Sequence, residues 1–339
     1  MIPPVYPPEE ARGVWIWLEH EGGRLSGVSL ELLGQGRKLA ATAETSLTAV
    51  LLGQGLESLA EEAVRYGADE VLAAEHPLLE PYTADPATKV MTDLVLTRKP
   101  DVLLLGATAN GRDLAGRLAV RLRTGLTADC TDLSIDSATG LLLGEVTGFG
   151  QGILATIQCP RHRPQMATVR PGVFPRPAAE PARTGRIEWV EAQLAAEDAR
   201  VRVVKRSLER GVDITQAERL VVGGRGVQGD FGLVRALAKA LGAEVGATRV
   251  AVDQGWIGHE RMIGQTGSVT RPKLAIVCGA SGAMQFTVGI QEAETVVAIN
   301  SDPEAPIFES ADYCIADDLF QVLPPLIERL KREKVAGGK

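Results

Sequence analysis

Cysteine and histidine are scarce in this chain of 339 residues, which holds four of each. Cys130, Cys159, Cys278 and Cys314 lack C-x-x-C spacing, so they read as buried thiols in a reducing compartment. His20, His76, His162 and His259 form no H-x-x-x-H or H-E-x-x-H pair, so no metal centre is expected. No apolar run approaches the roughly 20 residues that cross a bilayer. The first ten residues have neither a basic n-region nor an apolar h-region. No secretory signal is therefore expected, and the chain is placed in the cytoplasm as a protein that does not span a membrane. Positive charge is short as well, with 36 basic against 43 acidic residues and a net charge of −7. A phosphate backbone is bound by a positive field, so this balance argues against nucleic acid as a partner.

Apolar residues are plentiful, at 45% of the chain, and its length is more than one core usually organises. Two domains are expected. Between positions 220 and 323, short apolar runs repeatedly end in small or polar residues. Residues 220–222 run into Gly223-Gly224-Arg225-Gly226, and Val245 into Gly246-Ala247-Thr248-Arg249. Residues 274–278 run into Gly279-Ala280-Ser281-Gly282, 295–299 into Asn300, and 313–316 into Asp317-Asp318. Helical patterns at 231–241 and 319–330 lie between them. Apolar strands without strict alternation, separated by helices, predict a doubly wound parallel sheet covered on both faces. Such sheets bind ligands at their carboxyl ends, where free amides and helix N-termini converge. The second domain is thus expected to hold an anionic nucleotide.

The first half reads as a mixed α/β domain. A strand at 14–19 puts Trp15 and Trp17 on one face and Val14, Ile16 and Leu18 on the other. A helical pattern follows at 26–33, then a strand at 48–52, a helix at 56–65 closed by Gly67, and a strand at 70–73. A helix is expected at 84–98, with Asp85 as N-cap and Pro86 at the first helical position. A strand at 101–105 opens on the loop from Gly106 to Asp113, followed by a helix at 114–122. That loop could bind a phosphate, but is read as structural. Residues 130–135 and 141–146 flank Gly140 as an antiparallel excursion at the edge of the parallel sheet. Further strands are expected at 153–158, 165–169, 186–190 and 199–206. Prolines at 171, 175, 177 and 181 make the next stretch stiff and linker-like. The expected division is a domain at 1–205 with its linker at about 171–205, a nucleotide-binding domain at 206–330 and a tail at 331–339.

Gly224-Arg225-Gly226-Val227-Gln228-Gly229 fits G-x-G-x-x-G, after a strand and before a helix. The usual ribose acid is missing, because the next strand ends in Thr248-Arg249. Arg225 instead offers a guanidinium to a pyrophosphate. Taken alone, these residues leave open a nicotinamide dehydrogenase and a non-redox nucleotide-binding or structural protein. The turn Gly264-Gln265-Thr266-Gly267 adds an amide and a hydroxyl that could reach ring atoms.

Six stretches together narrow this. Gly224-Arg225-Gly226, the run from Gly246 to Asp253, Gly264-Gln265-Thr266-Gly267, Ser281-Gly282-Ala283-Met284-Gln285, the run from Ala298 to Phe308, and Ala311-Asp312-Tyr313 with Asp317-Asp318-Leu319-Phe320 resemble the alpha subunit of electron transfer flavoprotein. Order and spacing match over 215–330, and the first half resembles that family most at Arg163 to Gly172. The resemblance implies an FAD held by the second domain and a beta subunit carrying a second FAD or an AMP. It implies electrons passing from flavin dehydrogenases to a membrane quinone oxidoreductase or another acceptor. In electron-bifurcating relatives an NADH electron pair is split toward high- and low-potential acceptors, and that variant stays open. No acid, base or nucleophile is assigned.

Residue by residue, the resemblance puts Arg225 at the pyrophosphate and Thr248 and Arg249 against the isoalloxazine. Ile263, Gly264, Gln265 and Thr266 line the flavin, with Gly267 closing that turn and Thr266 near N5. Arg249, Gln265 and Thr266 tune the ring. Ser281, Gly282, Ala283, Met284, Gln285 and Phe286 follow the ribityl chain, the pyrophosphate and the pyrimidine edge. Asn300, Asp318 and Leu319 meet the adenosine end. A reduced, anionic ring is stabilised by fixed positive charge and donors, while the cofactor supplies the redox chemistry. Phe286 departs from the family, many of whose members carry a histidine donor there, and a phenyl ring donates nothing. Phe286→His is therefore expected to raise the flavin potential. Redox titration checks this, and unchanged potentials in both steps contradict it.

Overall fold

The computed structural model describes residues 5–147, 154–204 and 214–336. Chain contacts divide it into two compact units, Met1–Arg206 and Ser207–Lys339.

In the first unit β1 (Val14–Trp17) is buried on both faces and followed by a small hairpin, β2 (His20–Glu21) and β3 (Arg24–Leu25). Then come α1 (Gly27–Thr42), β4 (Leu47–Gly53), α2 (Glu57–Arg65) and β5 (Glu70–Glu75). After α3 (Ala84–Arg98) the chain adds β6 (Val102–Gly106), α4 (Ala109–Arg121), β7 (Leu126–Cys130) and β8 (Asp132–Ile135). It closes with β9 (Leu142–Thr147), β10 (Leu154–Ile157), β11 (Gln165–Val169) and β12 (Arg186–Trp189). Seven strands form one parallel sheet in the order β12-β5-β4-β1-β6-β11-β7. Trp15 and Trp17 enter the core shared with α3 and α4, while Val14, Ile16 and Leu18 enter the core shared with α1 and α2. The two-residue period of a strand sorts them this way.

Several local expectations change. Helix α1 runs past residue 33 to Thr42, and its Gly36 lies against Ile16 and Leu47, where a Cβ would come within 2.6 Å of the Ile16 side chain. A glycine at this point lets helix and sheet pack closely. Thr83, not Asp85, is the N-cap of α3, so Asp85 and Pro86 fall inside the first turn. Proline is tolerated there because those N–H groups lack intrahelical partners. Helix α4 starts earlier than its apolar pattern, on the N-cap Thr108, whose hydroxyl accepts from Gly111 N at 2.9 Å. The antiparallel strands do not extend the parallel sheet: β10-β9-β8 is a sheet of its own, beginning just after β7. The strand expected at 186–190 forms as β12, and although it lies in the stretch also expected to be a linker it supplies a sheet edge, paired in parallel with β5. No strand forms at 199–204, and the rest of that expected segment, like residue 153, lies outside the described residues.

The stretch from Arg163 to Gly172 is occupied internally. Arg163 is buried and ion-paired with Asp101. Gln165 accepts from Leu142 N at 2.8 Å, and Thr168 accepts from Asp129 N at 2.9 Å. Arg170 donates to Asp129 at 2.6 Å, and Gly172 N donates to the buried Glu31 at 2.8 Å. These bonds tie β11 to its neighbours and to α1.

The second unit is a five-stranded parallel sheet in the order β14-β13-β15-β16-β17. Its strands are β13 (Arg219–Gly223), β14 (Glu244–Ala247), β15 (Leu274–Cys278), β16 (Val296–Asn300) and β17 (Tyr313–Ala316). Its helices are α5 (Gly232–Leu241), α6 (Arg249–Asp253), α7 (Met284–Thr287) and α8 (Leu319–Ala336). Helices α5 and α8 cover one face through Val234, Leu237, Leu319 and Leu323. Ile263, Phe286, Ile290 and Ile307 cover the other. The expected tail from 331 continues α8 to Ala336, and 337–339 lie outside the described residues.

At the switch point of the first sheet, between β1 and β6, Thr108 donates to the Glu19 carboxylate at 2.6 Å. Burial pushes the Glu19 carboxyl above its ordinary range, opposed in part by that hydrogen bond. A folded state that holds the proton more tightly than the unfolded chain gains stability as pH falls and loses it as pH rises through the folded pKa. Glu19→Gln, which keeps an acceptor for Thr108, is therefore expected to melt above the wild type at about pH 7, the gap closing toward about pH 4. Paired thermal melts across that range check this, and a gap independent of pH contradicts it.

Candidate nucleotide site

The carboxyl ends of β14, β13, β15 and β16 surround a cavity of about 650 Å³. That size is ordinary for a cofactor site, which usually measures about 300–1,000 Å³. Its floor is made by two loops that touch backbone to backbone. Gly224 N donates to Cys278 O at 2.9 Å, and Gly226 N donates to Gly279 O at 2.8 Å. A Cβ on Gly226 would lie 2.8 Å from Gly279 Cα, and one on Gly224 would lie 2.5 Å from Gly279 O. Gly279 itself has φ +65°. The first two glycines of the fingerprint thus serve the approach of β13 to β15, whereas Gly229 lies against Trp256. The fingerprint does not open directly on a helix, since a short 3-10 turn, Arg225–Val227, precedes α5 at Gly232.

Arg225 and Arg249 are the cations on the cavity wall, and both are exposed. Arg249 does not end a strand, as its sequence context suggests, but opens α6 and pairs with Asp253 at 3.3 Å. Thr248 is the N-cap residue of α6, buried on the wall, and its side chain makes no capping bond. The chain then returns beside β14, where Ile263 N donates to Ala247 O at 2.9 Å, bringing Ile263 and Thr266 to the wall. Gly264 and Gln265, expected to line the flavin, and Gly267, expected to close that turn, are not brought to the wall: Gly264 is buried and the other two are exposed. Gln265 N donates to Gln285 O at 2.7 Å, joining this turn to the loop after β15.

That loop contributes Ser281, Gly282, Ala283, Gln285 and Phe286 to the wall, whereas Met284 points elsewhere and is exposed. The N–H groups of Ser281, Gly282 and Ala283 find no partner among the described residues. Consecutive free amides beside two guanidiniums form an anion-binding concavity, the chemistry a pyrophosphate needs. Phe286 is 6% exposed and belongs to the core, so its ring offers bulk and no donor. Asn300 reaches the wall. Asp318 and Leu319 are not brought to it: Asp318 accepts from Phe320 N at 3.0 Å at the start of α8, and Leu319 is buried against Gly279. The wall also includes Gly226, Val250, Gly279 and Ala280, together with Asp302, Ala305 and Pro306 after β16. Gly226 belongs to the fingerprint, Gly279 and Ala280 follow an apolar strand, and Val250, Asp302, Ala305 and Pro306 lie within stretches that carry the family resemblance without being singled out there.

The match to known families agrees with this geometry. A family model described as "Electron transfer flavoprotein domain" matches residues 14–195, and "Electron transfer flavoprotein FAD-binding domain" matches residues 213–291. An "Electron transfer flavoprotein subunit alpha" from Thermoanaerobacterium thermosaccharolyticum is 45% identical, over 95% of this chain and 99% of that one. The chain belongs to the electron transfer flavoprotein alpha-subunit family. This alpha subunit is also 47% identical to "Protein FixB" of Clostridium saccharobutylicum, over 94% of this chain and 96% of that one. An "Acryloyl-CoA reductase electron transfer subunit beta" from Anaerotignum propionicum is 39% identical over 96% and 97%. FAD binding and electron transfer follow from the family. Among the described residues, no group of three or more His, Cys, Asp or Glu side chains could hold a metal ion, and no helix is long and apolar enough to cross a membrane.

Gly226→Ala is expected to force the two floor loops apart at a strain of about 1–3 kcal/mol, weakening FAD retention roughly tenfold or more. The flavin-to-protein ratio after gel filtration checks this, and full retention contradicts it.

Proposed function

We propose that FAD lies across the strand ends of the second unit, with its isoalloxazine on the β14 side between Arg249 and the Thr266 turn. Arg225 and the amides of Ser281 to Ala283 hold the pyrophosphate, and the adenosine extends toward β16. The observation that carries this reading is the convergence of two arginines, three free amides and a glycine-floored cavity in the segment matched by an FAD-binding family model. Bound FAD supplies the one- and two-electron chemistry. The chain orients it and sets its potential: Arg249 stabilises negative charge on the ring, and Thr266 gives a fixed hydroxyl. Phe286 excludes water from one edge without offering a donor.

In this reading the chain works with a beta subunit that holds a second FAD or an AMP, and relays electrons from flavin-dependent dehydrogenases to an acceptor. The subunit names of the relatives support that pairing. Four free cysteines suit a reducing compartment, and we place the pair in the cytoplasm.

Coexpression with the beta subunit is expected to yield a yellow complex whose flavin bands bleach on reduction and whose FAD is released on denaturation. Arg249→Ala is expected to lower the potential of that flavin. A colourless complex that binds NAD(H) instead contradicts the reading.

A further inference from the structure

We propose that Asp302 is the residue that reads the ribose of the adenosine end, accepting hydrogen bonds from its hydroxyls. This rests on the cofactor orientation proposed above.

Among the described residues Asp302 is the single carboxylate on the cavity wall, whose other charged side chains are Arg225 and Arg249. A carboxylate facing a pyrophosphate would repel it, so Asp302 must face a part of the cofactor that donates hydrogen bonds. FAD has such groups in its ribityl chain and in its adenosine ribose. Position in the sheet separates the two. Arg249 follows β14 and Asp302 follows β16, and the order β14-β13-β15-β16 sets these strands three spacings apart. That is roughly 14 Å across the strand ends. With the flavin ring at Arg249 and the pyrophosphate at the central strands, the group reaching Asp302 is the ribose.

The carboxylate is held in place for this task. Asp302 N donates to Asn300 Oδ1 at 3.0 Å, and Asn300 Nδ2 donates to Ala280 O at 2.9 Å. Much of the Asn300 carboxamide is thereby spent on joining the loops after β15 and β16. Glu304 N donates to Asp302 Oδ1 at 3.0 Å, Ala305 N to Asp302 O at 3.2 Å, and Ile307 N to Ser281 O at 3.0 Å. Oδ2 is left for the ligand. In an ordinary dinucleotide fold the ribose acid ends the second strand of the motif. Here that strand is β14, which ends at Ala247 and is followed by Thr248 and Arg249 at the start of α6, so the acid is supplied from the opposite side of the cavity.

The test uses the apoprotein complex with its beta subunit, titrated with FAD, with FMN and with the FAD analogue whose adenosine ribose is 2′,3′-dideoxy. The wild type is expected to bind the dideoxy analogue about tenfold more weakly than FAD, about 1.4 kcal/mol. Asp302→Ala should bind FAD and the analogue alike, with its FMN affinity unchanged. Equal binding of FAD and the analogue by the wild type, discrimination that survives in Asp302→Ala, or an equal loss of FMN binding overturns the assignment. If the wild type binds FMN as tightly as FAD, the adenosine is not in the cavity, and the orientation falls together with the assignment.

Discussion

Two strand-end loops touch at their backbones, Gly226 N to Gly279 O, and the rest of the binding domain is arranged around that contact. It exists because neither loop carries a side chain at the point of closest approach. The register below it is parallel, with Gly223 opposite Cys278, so both loops leave the sheet at the same height. The loop after β15 then exposes the amides of Ser281 to Ala283, while the turn after β13 exposes Arg225. A substituted floor would raise both loops and separate the amides from the guanidinium. Backbone proximity, more than any single side chain, brings the free amides and Arg225 to one cavity.

The two units use one architecture for opposite electrostatic ends. In the second, the strand ends collect Arg225, Arg249 and unpaired amides although the chain as a whole is acidic. A local field of one sign inside a walled cleft matters more to a bound anion than net charge does. In the first, the corresponding switch point between β1 and β6 is filled from within. The Glu19 carboxylate takes the Thr108 hydroxyl, and the Trp17 and Tyr82 rings pack with centroids 5.8 Å apart beside it. A negative group at that place disfavours a phosphate. Arg170, just past the carboxyl end of β11, is spent on Asp129. One sheet is built to receive an anion, and the other is closed around its own acid.

What could be read from the residues follows from period and from punctuation. The alternation of Trp15 and Trp17 against Val14, Ile16 and Leu18 sorted them to their two cores, because a strand buried on both faces still obeys the two-residue period. The five apolar runs of the second unit were legible because each ends at a small or polar residue where a loop must turn. Long-range pairing was not legible. Nothing local in Arg186–Trp189 tells that it completes a sheet edge beside β5 after a run of prolines. Nor does Gly36 announce that it continues a helix, since its reason lies in the side chains of Ile16 and Leu47 across the core. At the site, Arg225, Thr248 and Arg249 were found because each follows a strand by one or two positions, whereas Asp318, which does so too, is not on the wall. Asp302 was met only as part of a resemblance, because its place on the wall depends on how the loop after β16 folds back on Ser281.

The account turns on where the cofactor lies. A density map of the purified heterodimer is the most direct measurement. The account predicts FAD extended over the carboxyl ends of β14, β13, β15 and β16, with its ring beside Arg249 and its pyrophosphate over Ser281 to Ala283. A nicotinamide dinucleotide in that cleft, or an FAD bound elsewhere on the chain, would contradict it.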